Sequence, residues 1–97
     1  MTLRTTAGCD AQIVAIDDWW RANRPKAPDL FVDELADTFA LVEAAPMLGR
    51  PWTPTEVSGV RRVVMRATRY HVYFRMDGAD VVVLAVWSAV RGRGPRL

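Results

Sequence analysis

Residues 66–87 read RATRYHVYFRMDGADVVVLAVW, and the way this stretch folds decides the rest. Tyr70, Val72, Tyr73 and Phe74 suit a pleated surface, Asp77-Gly78 is a turn signal, and Val81 to Trp87 is apolar and rich in β-branched residues. The stretch therefore predicts a hairpin, with strands at about 69–76 and 80–88. With a period of two, Tyr70, Val72, Phe74 and Met76 share one face, and Arg69, His71, Tyr73 and Arg75 share the other. One face is apolar and the other basic.

Working outward, a further strand is expected at about 60–67 and a short one at 2–6. Ala11 to Asn23 carries Ile13, Ile16 and Trp20 at helical spacing, with Asp10 as N-cap, and the helix stops near Arg24-Pro25. Pro28-Asp29 opens a second helix with an apolar stripe of Phe31, Leu35, Phe39 and Val42, while Asp33, Glu34, Asp37 and Glu43 keep its other surface wet. Pro46 ends it. Residues 46–59, with three prolines and two glycines, read as a loop from helix to sheet. The expected fold is α+β in the order β-α-α-β-β-β, a helical hairpin packed on one face of a small antiparallel sheet. It forms one domain over 1–97, with 91–97 as a flexible basic tail.

The last strand does not alternate, so both of its faces require cover, whereas two helices cover only one face of a sheet. The tail folding back, a docked partner chain, or both are expected to cover the other.

Ninety-seven residues, 51% of them hydrophobic, suffice for one core and no second module. The single cysteine, Cys9, forms no internal disulfide, and with one histidine it does not complete an ordinary zinc site, so neither metal nor cofactor is expected. The chain shows no signal-peptide run and no span of roughly 18 apolar residues, which predicts a cytoplasmic protein with no membrane partner. The net charge is only +2, but it is divided unevenly: eight acids stand against three bases in 10–45, and three against nine in 50–97. An acidic face and a separate basic face follow, the latter suited to a nucleic acid or an acidic protein surface. Arginine supplies twelve of the thirteen bases, and a solvated charged face is the ordinary alternative.

The order of these elements, the segments GVRRVVMRATRYHVYFRMDG (59–78) and VVVLAVWSAVRGRGP (81–95), and the helical half with IDDWWRANRP (16–25) and EAAP (43–46) before Gly49 resemble the RelE/ParE superfamily of bacterial type II toxins, in its ParE-like branch. The resemblance implies a toxin neutralised by a cognate antitoxin, small and often of ribbon-helix-helix type, that wraps an extended or helical segment over it. ParE-like members act on DNA gyrase by binding. RelE-like members are ribonucleases that cut messenger RNA in the ribosome, using sheet arginines and a tail tyrosine or histidine.

Cleavage of RNA by its own 2′-hydroxyl requires a base, an acid and cations for the phosphorane-like charge. For that alternative the candidates are Arg69, His71, Arg75 and Arg91. His71 stands where RelE-like enzymes resemble each other in having a strand arginine, and Arg91 matches their arginine after the last strand. Leu97 stands where a catalytic tyrosine would fall, and Ser88 follows Trp87 where many relatives have histidine. The binding reading is favoured, with Arg69, His71, Arg75, Arg91, Arg93 and Arg96 as target-binding residues. Trp19, Trp20, Val81, Val83 and Trp87 are the antitoxin-binding candidates. A decayed toxin or a non-toxic binding module is a further alternative.

Overall fold

The computed structural model describes residues 2–90 and 92–97. Strand β1 (Leu3–Thr5) leads into helix α1 (Ala7–Asn23) and helix α2 (Leu30–Ala44). A 3-10 turn at Pro46–Leu48 follows, then strands β2 (Arg50–Pro51), β3 (Arg61–Met65), β4 (Tyr70–Asp77) and β5 (Asp80–Ser88). The sheet order is β1-β5-β4-β3-β2. The expected helical hairpin on an α+β sheet is present. The sheet, however, is mixed and not wholly antiparallel, because β1 lies parallel to β5, Leu3 opposite Val81. The two-residue β2, hidden in a proline-rich segment, pairs with Arg61 and Arg62.

Helix α1 begins four residues before the expected Ala11. Thr6, not Asp10, is its N-cap, its hydroxyl oxygen accepting the Cys9 N–H at 3.1 Å. Asp10 instead lies in the first turn, where it accepts from the Thr5 hydroxyl. Arg21 joins the two helices, reaching Asp17 at 3.2 Å and Asp29 at 2.8 Å; on an exposed surface such pairs add little.

The main core lies between helices and sheet. Phe31, Leu35 and Val42 of α2 and Cys9 and Trp20 of α1 pack over Val72, Phe74, Val81, Val83 and Val86. The Trp20 indole N–H donates to the Tyr70 hydroxyl at 3.1 Å, and the Phe31 ring meets the Tyr70 ring edge-on with centroids 5.2 Å apart. Each fully buried aliphatic or aromatic side chain here contributes about 1.5–3 kcal/mol.

A bulge in β5 decides which side chains reach that core. Tyr73 stands opposite Ala85 but Phe74 opposite Val83, so Leu84 is an extra residue and the alternation of β5 changes phase there. Val81, Val83 and Val86 consequently face the helices, while Ala85 faces away with Tyr73. The β4–β5 turn uses Gly78 at φ 60° in its first central position, as a type II′ hairpin requires.

The far face carries a second, smaller core of Val60, Tyr73 and Ala85, covered by Trp52, Val57, Leu84, Trp87 and Leu97. The expectation of a flexible tail is corrected for its described part. Pro95 is buried, Leu97 packs on the second core, and the Trp87 indole N–H donates to the Arg93 carbonyl at 3.0 Å. At Gly94 a Cβ would stand 2.6 Å from the Trp52 ring, so only glycine allows this close approach.

Candidate functional site

The basic residues read from the sequence do not form one row. His71 and Arg75 lie half-buried on the far face of β4, on either side of the buried Tyr73. Arg69 does not share that face: it lies in the β3–β4 turn, exposed, with φ 67°. The left-handed conformation removes it from the alternation that strand periodicity assumed. Arg93 and Arg96 are exposed on the packed tail, and Arg91 lies outside the described residues.

The turn bearing Arg66 and Arg69 is fastened to helix α2. The Glu34 carboxylate accepts the Ala67 N–H at 2.8 Å, the Thr68 N–H at 2.9 Å and the Thr68 hydroxyl at 2.5 Å. Burial alone pushes the Glu34 carboxyl up, but the bonds from Thr68 and Ala67 outweigh it and hold the group below the ordinary value of 4.5. A residue assigned to the wet helix surface therefore secures the loop that carries two cations.

Cross-strand register adds arginines that strand-by-strand reading missed. Arg62 stands between Tyr73 on one side and Arg50 on the other, and Val64 stands opposite His71. His71, in turn, is opposite Trp87 and meets the Tyr73 ring edge-on at 6.0 Å. Burial, and then the charge of Arg62, lowers the His71 pKa below its ordinary 6.5, so the imidazole is neutral at pH 7. The pairing of β3 with β4 was the signal needed to find Arg62, and that of β2 with β3 the signal needed to find Arg50.

Among the described residues, ion pairs join only Arg4 to Asp77 and Arg21 to Asp17 and Asp29. No described arginine from position 50 onward is paired with a carboxylate. The arginines of the sheet half are thus not neutralised by contact with the acidic helices.

The antitoxin candidates separate by burial. Val81 and Val83 are fully buried beneath the helices and Trp20 is 9% exposed, so these three belong to the core and offer no docking surface. Trp19 is 45% exposed, edge-on to Trp20 at 5.8 Å, with the Arg24 guanidinium 5.0 Å from its ring centroid. Trp19 and Trp87 border one groove of about 490 Å³, together with Ile16, Tyr70 and Val90. β1 pairs only with Val81 to Val83, and beyond it Gln12 Oε1 accepts the Val86 N–H at 2.9 Å, a side chain standing in for a strand.

Cys9 is fully buried, and burial, with Asp10 adding to it, pushes its thiol up to about 12. It is a core residue and not a nucleophile.

A helical hairpin on a five-stranded sheet is the fold expected from the resemblance to the RelE/ParE superfamily. The family of ParE toxins of type II toxin–antitoxin systems, parDE, matches residues 3–92, and the chain belongs to that family. Its fold is similar to a chain of the chromosomal ParDE toxin–antitoxin system from P. aeruginosa. The TM-score is 0.75 at 22% identity, over 91% of this chain and 95% of that one. No curated protein matches significantly. Among the described residues, no helix is long and apolar enough to cross a membrane.

Proposed function

We propose that this chain is the toxin of a cytoplasmic toxin–antitoxin module, that it inhibits DNA gyrase by binding, and that a cognate antitoxin neutralises it. The observation that carries the binding reading is the far face itself. Arg62, Arg69, Arg75, Arg93 and Arg96 lie there or at its rim without carboxylate partners, around a closed aromatic patch of Trp52 and Tyr73 with ring centroids 4.8 Å apart. Guanidinium groups around a half-buried Trp52 ring packed on Tyr73 are the chemistry of a protein-binding surface. Leu97, where a ribonuclease of the RelE type would place its tyrosine, packs into the second core, which supports the same reading. Membership of the ParE family supports gyrase as the target, and Arg91 is kept in the proposed target surface on its sequence position.

For the antitoxin, the groove between α1 and β5 is the proposed seat. Its walls are mostly apolar, and Trp19 and Val90 stand exposed at its border. An amphipathic helix or an extended segment of a small DNA-binding antitoxin suits such a groove.

The test adds purified chain to a gyrase supercoiling reaction and, in parallel, to cell-free translation. Supercoiling should fail, with cleaved plasmid accumulating, while translation continues; cognate antitoxin should restore supercoiling. Arrested translation with cut messenger RNA and intact supercoiling would establish the ribonuclease reading, in which His71 beside Arg62 would be the reactive pair.

A further inference from the structure

The opposite edge of the sheet holds a second cleft, apart from the antitoxin groove and meeting the proposed gyrase surface at Arg62 and His71. β2 pairs only Arg50 and Pro51 with Arg62 and Arg61, so from Val63 onward this edge of β3 carries no strand. The Trp52 N–H donates to the Val60 carbonyl. By the two-residue period of a strand, positions 60, 62 and 64 turn their backbone groups toward the edge, and those of Val64 lie beyond the end of β2. The space beside them is an open cleft of about 460 Å³.

Its lining is of two kinds. Leu41, Leu48 and Val64 are apolar and 53%, 60% and 43% exposed. Arg50, Arg62 and Arg66 supply three cations, with His71 beside them and no acid among the lining residues. None of these arginines is ion-paired within the described residues.

We propose that this cleft binds an extended acidic segment of a partner protein, which adds a strand to the open edge of β3. Its backbone pairs with Val64, its alternate aliphatic side chains cover Leu41 and Leu48, and its carboxylates meet Arg50, Arg62 and Arg66. Strand addition explains how an open edge and flanking apolar pockets are used together. Charge complementarity selects an acidic sequence. The exposed apolar lining selects a polypeptide over a nucleic acid: single-stranded bases bind on aromatic platforms, and the exposed lining here is aliphatic. The inference is independent of gyrase as target, because a synthetic segment tests it.

The experiment titrates the full-length 15N-labelled chain with an octapeptide of alternating glutamate and leucine, following backbone amide signals. Saturable shifts should centre on Val63 to Arg66 and Leu48, and binding should weaken at least tenfold in Arg62→Glu/Arg66→Glu and as salt rises from 50 to 500 mM. Leu48→Glu, at an exposed position outside the strands, should weaken binding similarly without altering the remaining spectrum, which provides for the case in which the double variant is unfolded. The proposal is overturned if millimolar peptide shifts none of these amides, if the lysine–leucine counterpart binds equally well, or if the shifts map to the α1–β5 groove. It is equally overturned if an octamer of uridine nucleotides shifts the same amides at lower concentration than the acidic peptide.

Discussion

On the helix side of the sheet, Val72, Phe74, Val81, Val83 and Val86 lie under two helices, whereas on the far side Tyr73 and Ala85 lie under a proline-rich loop and the packed tail. The helix side is closed by regular elements whose backbone bonds are internally satisfied. Cover on the far side depends on close approaches such as Gly94 on Trp52 and on single bonds such as Trp87 to the Arg93 carbonyl. Its rim also holds the unpaired arginines. Most of the apolar burial that resists unfolding is therefore on one face, and the arginines without carboxylate partners lie on or around the other.

The largest expected effect breaks the helix side. Phe31→Ala removes a fully buried ring that contacts Tyr70 and should lower stability by about 3–5 kcal/mol in urea unfolding. A loss below about 1 kcal/mol would mean that the helices contribute much less to the core than their burial indicates.

Gly94→Val tests the tail cover. Its added carbons must displace the Trp52 ring or the tail, at a cost of about 1–3 kcal/mol. Increased hydrogen exchange at residues 52–60 and 93–97, with α1 and α2 unchanged, is the expected signature.

Acid titration separates Glu34 from His71. A carboxyl held below its ordinary value stabilises the fold fully above pH 4.5, and that contribution is lost as pH falls through its folded-state pKa. Glu34→Gln should weaken the fold by about 1–3 kcal/mol at pH 7 and flatten the stability curve below pH 4.5. His71 acts in a higher window. Because its folded-state pKa is lowered, the unfolded chain takes up the proton first, and stability falls as pH drops from 6.5 toward the folded-state value. His71→Gln should remove that slope while leaving Glu34's intact. Under the binding account it should also leave toxicity largely unchanged, which is the smallest effect expected. Loss of toxicity in a folded His71→Gln chain would favour catalysis.

The main apolar faces were legible because their periods are clean. Phe31, Leu35 and Val42 are buried on α2, and Tyr70, Val72, Phe74 and Met76 meet the helices as alternation required. The β5 run gave no such guide. An unbroken apolar sequence carries no phase, and the bulge at Leu84 reverses which residues face inward, so Val81 and Val83 were assigned to a surface they do not reach. Arg69 was misplaced because a non-glycine residue at φ 67° is invisible to periodicity. The start of α1 was missed because Gly8, a weak helix former, sits in its first turn and hides the cap at Thr6. The Arg50–Arg62 pair depended on strand register, which a single sequence does not specify across a proline-rich connection.

The central claim is that the arginines on the far face and at its rim bind the target and do little for the fold. It is tested most directly by the gyrase inhibition curve of a chain carrying Arg69→Gln, Arg75→Gln, Arg93→Gln and Arg96→Gln together, measured beside its thermal unfolding. The account predicts a loss of inhibition greater than tenfold with a stability change within about 1 kcal/mol, or roughly 4–8 °C for a domain of this size. Undiminished inhibition by the fully folded quadruple variant would contradict it.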